Sequence, residues 1–197
     1  MVNKKLLKDI EFIVELDKMK SIIRQTSLIG ENKREDDAQH SWHISVMAMI
    51  LHEYSDEKIN LCKTIKMLLI HDLVELYAGD TFCYDKEANK DKKERELAAA
   101  EKISKMLEGE KGKELILLWK EFEEMESPEA LFANSMDRLQ PMLNNYYNDG
   151  GTWKKFNVGK SDIYKRVGPI KETSKDLWNF MEYMIEDAFE KGLISKL

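Results

Sequence analysis

Hydrophobic positions recur at helical spacing along most of the chain. Leu6, Leu7, Ile10, Ile13 and Val14 predict an amphipathic helix over residues 3–20. Residues 21–35, SIIRQTSLIGENKRE, carry charge and Gly30 and read as a loop. A second helix starts at Asp36 or Asp37, where Asp36 and Gln39 fit a capping box. It carries His40, Trp42, His43, Val46, Met47, Met49 and Ile50, and ends near Tyr54. A third spans about 56–78, with Leu61, Ile65, Leu68 and Leu69 on its apolar face. The charge run at 85–96 reads as a solvated helix face or loop, and an apolar face resumes from Leu97 to Leu107.

Leu115, Leu118, Trp119 and Phe122 mark a further helix. Ser127-Pro128, an N-cap followed by proline at the first helical position, opens the next one. That helix runs through Phe132, Ala133, Met136 and Asp137, and Pro141 is expected to bend it. Residues 149–160, DGGTWKKFNVGK, are a loop or lid candidate. The last helix, about 169–191, has Leu177, Met181, Met184, Ile185 and Ala188 on one side and Gly192 as its stop. No segment alternates as a strand should. The expected architecture is all-α, six or seven helices around one core, in one domain over 1–197.

Composition narrows the function classes. At 197 residues the chain can bury a substantial core. A formal net charge of −6 argues against a nucleic-acid footprint, which needs a basic face. Small anionic substrates stay open, because local cations or a metal can reverse the field in a cleft. Cys62 and Cys83 lack metal-finger spacing and read as reduced thiols in a cytosolic protein. Neither a signal peptide nor a membrane span is expected.

The chemistry gathers in IKMLLIHDLVELYAGDTF, residues 65–82. Continuing the leucine row by three or four residues lands on Asp72 and then Glu75, so two carboxylates follow a face marked as buried. A buried carboxylate must be neutralised, hydrogen-bonded or bound to a cation. His71 lies four residues before Glu75, close enough to converge on the same spot. Gly79-Asp80 then breaks the helix and adds another acid. Ala133 and Asp137 repeat the pattern elsewhere. Histidines on apolar faces are usually satisfied core residues, and His43 and His52 keep that reading. His43 lies one turn from His40 and can also orient it.

Here the chain resembles a family. AQHSWH (38–43), LIHDLVELYAGD (69–80) and NSMDRLQP (134–141) are similar, in order, to the motifs of the HD superfamily of metal-dependent phosphohydrolases. RQT (24–26), NKREDDAQHSWH, GDTFCYD and NNYYNDGGTW resemble the branch containing bacterial 5′-deoxynucleotidases, and the likeness covers most of 20–155. The resemblance implies one divalent metal ion (Co²⁺, Mn²⁺, Mg²⁺ or Zn²⁺) held by His40, His71, Asp72 and Asp137. It implies that Glu75 orients or activates water, that Asp80 stands near sugar and water, and that Arg24 grips the substrate phosphate.

Two positions depart from the pattern. Gln39 stands where glutamate is commoner. Gln25 follows Arg24 where some members of the branch carry tryptophan, so that stacking group is missing. No histidine follows His71, so a single metal is expected. The expected activity is phosphate removal from a nucleoside 5′-monophosphate, most readily a 2′-deoxy one, by a cytoplasmic enzyme. The resemblance also implies a homodimer. A nucleoside triphosphate, a guanosine polyphosphate or another phosphomonoester stays open as substrate. A non-catalytic metal- or nucleotide-binding module is the reading from another class; spare acids at Glu75 and Asp80 speak against it.

Overall fold

A computed structural model describes residues 2–195. Ten α-helices and one small hairpin make up the described residues, with 3₁₀ turns between some of them. The expected all-α class holds. The helix count is higher than six or seven because the 56–78 segment divides and two helices form within 151–167, where none was expected.

Helix α1 is Lys4–Leu16, capped by the Asn3 side chain. The segment read as a loop is instead an antiparallel hairpin, β1 Ile23–Ser27 and β2 Arg34–Asp36, with a bulge between its paired ends. A five- and a three-residue strand are too short for alternation to register. The hairpin turn is fastened from outside. Gly30 N–H donates to Asn148 Oδ1 at 2.7 Å, and Asn148 Nδ2 donates to the Leu28 carbonyl at 2.9 Å. Asn148 thus ties the hairpin to the end of a distant helix.

Helix α2, Asp37–Leu51, opens on the predicted capping box. Asp36 Oδ1 accepts from Gln39 N–H at 2.9 Å, and Gln39 Oε1 accepts from Asp36 N–H at 3.1 Å. The helix expected over 56–78 is divided: α3 Leu61–Ile70, a 3₁₀ turn His71–Val74, and α4 Glu75–Ala78. The tighter turn changes the angular step after Ile70 and buries His71, Asp72, Leu73 and Val74 in succession. Thr64, Met67 and Leu68 form the buried face of α3, whereas Leu69 is exposed.

Helices α5 Lys92–Met106 and α6 Glu110–Glu124 pack beside this segment. Helix α7, Pro128–Tyr147, starts at the predicted Ser127 cap and runs through Pro141 as one element. Proline has no N–H to offer the Asp137 carbonyl four residues back. Residues 149–160 are not a free loop: Gly151–Lys155 forms α8, with Trp153 fully buried. Asn145 Oδ1 accepts from both N–H and Oγ1 of Thr152, and a Cβ at Gly151 would sit 2.6 Å from that oxygen. Helix α9 is Lys160–Val167, and α10 is Lys175–Glu190, beginning later than expected at its Ser174 cap. Gly192 follows α10 at φ 69°, the predicted stop.

The main core joins Ile44 and Met47 of α2, Met67 and Leu68 of α3, Phe132 and Met136 of α7, Trp153, and Met181 and Ile185 of α10. A second cluster holds Phe12, Met19, Leu73 and Ile103. Phe12 is the buried residue of α1. The face expected to pack, Leu6, Leu7, Ile10, Ile13 and Val14, is exposed. No helix among the described residues is long and apolar enough to cross a membrane.

Candidate metal and phosphate site

Three elements bring the predicted ligands together. His40 comes from α2, His71 and Asp72 from the 3₁₀ turn after α3, and Asp137 from α7. His40, His71 and Asp72 offer ligand atoms within 4.8 Å of one another. Asp137 Oδ1 adds a carboxylate 3.2 Å from His40 Nε2 and 3.7 Å from His71 Nε2. His71 Nε2 lies 3.1 Å from Asp72 Oδ2. All four residues are buried.

Both imidazoles are held from behind. The Leu68 carbonyl can only accept, so His71 donates from Nδ1, at 2.8 Å. The Gln140 amide turns its nitrogen to Glu35 Oε1 at 2.6 Å, leaving Gln140 Oε1 to accept from His40 Nδ1 at 3.1 Å. When neutral, each ring therefore presents an Nε2 lone pair to the cluster. His71 Nε2 is buried without a hydrogen bond. Two imidazole nitrogens facing two carboxylates are a donor set that a divalent cation satisfies.

Glu75 lies one turn beyond Asp72, with Oε2 buried and unpartnered. Burial, with Asp72 and Asp37 nearby, pushes its carboxyl well above the usual range. Gly79, at φ 76°, turns the chain after α4. Asp80 then lines the same cavity, and burial raises its carboxyl too.

Arg24, on β1, stands among the acids. Its Nη1 donates to Asp72 Oδ2 at 2.7 Å and to Asp37 Oδ1 at 3.2 Å. Burial works against its charge, and Asp72, Glu75 and Asp37 outweigh that cost. His43 Nδ1 accepts from Gln140 Nε2 at 3.3 Å, so it touches the residue behind His40. His52 is exposed and its ring bonds the Met49 carbonyl, so it is not the core residue it was expected to be.

Sequence reasoning missed Asp37, Glu35, Gln140 and Arg166. Asp37, Asp72 and Glu75 form a second close group, and burial raises the Asp37 carboxyl to about 6. Asp37 and Glu35 lie in the quoted segment NKREDDAQHSWH, and Gln140 lies in NSMDRLQP; their motifs were the available signal. Arg166, whose Nη2 donates to Asp137 Oδ2 at 3.1 Å, had none. A cavity of about 190 Å³ opens over the cluster, lined among others by Arg24, Gln25, Asp80, Asn145 and Trp153.

Residues 16–178 match the family model described as HD domain. The chain is 31% identical over 144 residues to 5′-deoxynucleotidase HDDC2 of Dictyostelium discoideum, covering 70% of this chain and 75% of that one. It is 28% identical to 5′-deoxynucleotidase HDDC2 of Homo sapiens, over 63% of this chain and 66% of the relative. In structure it is similar to a predicted metal-dependent phosphohydrolase from Magnetospirillum magnetotacticum MS-1. That likeness has a TM-score of 0.94 and 40% identity, over 99% of this chain and 100% of that one.

Proposed function

The chain belongs to the HD domain family, and from that premise we propose that it is a metal-dependent phosphohydrolase removing phosphate from nucleoside 5′-monophosphates, 2′-deoxy compounds foremost. One observation carries the reading: two imidazoles and two carboxylates converge in a buried cluster, with an unpartnered glutamate oxygen one turn away. Relatives named 5′-deoxynucleotidase support the substrate class.

His40, His71, Asp72 and Asp137 would hold one divalent ion, and the donor set fits Co²⁺, Mn²⁺ or Zn²⁺, with Mg²⁺ a harder match. Such an ion supplies Lewis acidity toward a phosphate oxygen and lowers the pKa of a water. Glu75 would take or direct the proton of the attacking water. Arg24 offsets charge on the phosphate, a task its planar fork suits. Asp80 stands on the cavity wall to receive the sugar. Gln140 and Glu35 position His40 and touch no substrate.

Residues 1–197 form one domain in this reading. Free Cys62 and Cys83 fit a reducing compartment, the cytoplasm. An exposed apolar row on α2 (Trp42, Met49 and Ile50) supports a homodimer.

The test is phosphate release from deoxy- and ribonucleoside 5′-monophosphates, using metal-stripped protein with Co²⁺, Mn²⁺, Mg²⁺ or Zn²⁺ restored. Metal-dependent release favouring deoxy compounds is expected. Silence across the panel with metal bound overturns the substrate assignment.

A further inference from the structure

Beside the catalytic cavity lies a second one of about 420 Å³. Arg138 and Arg166 line both, so the two cavities share a wall. Lys86 and Lys165 complete the second cavity's cations, and Asp162 is its acid. Four positive side chains against one carboxylate are out of keeping with a chain of net charge −6.

Little of that charge is matched within the cavity. In this cavity Arg166 alone is paired, to Asp137. Among the described residues Arg138, Lys86 and Lys165 have no ion-pair partner. Arg138 Nη2 meets the Met125 thioether at 3.2 Å and Asn134 Oδ1 at a long 3.5 Å, and its Nε is buried without a partner. Two guanidinium groups and two ammonium groups around one hollow leave positive charge uncompensated. A tetrahedral dianion would supply both the charge and the oxygen acceptors.

We propose that the cavity lined by Lys86, Arg138, Lys165 and Arg166 is a phosphate subsite adjoining the catalytic cavity. It rests on the phosphohydrolase reading only for its guest's source: orthophosphate leaving the metal, or a second phosphate on the substrate. Arg166 connects the two places, because the same guanidinium touches Asp137 and lines the subsite.

The probe is inorganic phosphate, titrated calorimetrically into the metal-stripped full chain, where the acidic cluster repels anions. Wild-type protein should bind one equivalent. Arg138→Gln and Lys165→Gln should each weaken binding about fivefold or more. Lys165 is exposed, so its variant keeps the test decisive if Arg138→Gln misfolds. No binding by wild type, or unchanged binding in the folded variants, overturns the proposal.

Two arms on metal-loaded enzyme identify the source. Preference for a nucleoside 3′,5′-bisphosphate over the monophosphate, lost in the variants, assigns a second substrate phosphate. Inhibition by orthophosphate that weakens in the variants assigns the leaving product. Phosphate binding to stripped protein with no turnover after loading would overturn the hydrolase reading and leave the subsite standing.

Discussion

Gln140 accepts the Nδ1 hydrogen of His40 at 3.1 Å while donating to Glu35 at 2.6 Å, so one amide fixes both the tautomer of the imidazole and the position of a buried acid. Gln140→Leu should lower metal affinity about 10- to 100-fold, the usual effect of removing a group that orients a ligating histidine. It would also leave the Glu35 carboxylate short of a donor, at a stability cost of about 1–3 kcal/mol. Competition with a chelator of known affinity measures the first effect and denaturant unfolding the second. Wild-type metal affinity in a folded variant would mean that His40 is not a ligand.

Glu75 is assigned to water, not to the metal. Glu75→Gln keeps the side chain's shape and removes its basicity, so turnover should fall about 10²- to 10⁴-fold. Bound metal should persist, which elemental analysis of the purified variant checks. Loss of metal in step with activity would make Glu75 a ligand instead.

Asp137 holds three partners: His40, His71 and Arg166. Asp137→Ala strands the Arg166 guanidinium and removes a carboxylate from two imidazoles. Metal content should collapse, and the stripped protein should lose about 3–5 kcal/mol, as for other broken buried pairs. Full metal content with unchanged stability would remove Asp137 from the ligand set.

The acids of the cluster were legible because they follow buried helical faces; the four-residue ligand set came from the resemblance. Asp72 continues the Leu68 side of α3, and Asp137 follows Ala133, so an acid stood where an apolar residue belonged. The caps at Asp36 and Ser127 were legible for the same local reason. What escaped was tertiary. Arg166 reaches Asp137 from α9, a helix that periodicity did not mark, and the short hairpin strands are set by Asn148 from the far end of α7. Apolar spacing also misled at α1, where a helical stripe faces outward and Phe12, with Leu16 beside it, turns in. Periodicity reports a stripe, and not what covers it.

Metal binding should depend on pH through His71. In metal-free protein burial favours the neutral ring, but Asp72 and Asp137 outweigh it and raise the pKa from 6.5 to about 10. The folded state therefore holds this proton more tightly than the unfolded state. Its stabilisation is fully present below pH 6.5 and is lost as pH rises through about 10. A metal needs the same Nε2 lone pair and displaces the proton. The difference in Tm between loaded and stripped protein should widen from pH 6.5 to about pH 9.5, as proton competition fades. A constant difference across that range would be inconsistent with His71 as a ligand.

The exposed row on α2 supplies the last prediction. Trp42 is 64% exposed, Met49 55% and Ile50 63%. Positions seven and eight residues after Trp42 return to its side of the helix, so the three side chains form one apolar strip. Leaving a tryptophan and two aliphatic side chains together in water forfeits about 25 cal/mol for each Å² of apolar surface. A second copy presenting the same strip across a two-fold axis would cover both, because such an interface is self-complementary. Sedimentation should then find a dimer, and Trp42→Glu should shift it to monomer by burying a charge at the centre of the contact. His40 lies on the buried side of the same helix, so metal content should be retained in the monomer. A wild-type protein that sediments as a monomer at all concentrations would overturn the dimer.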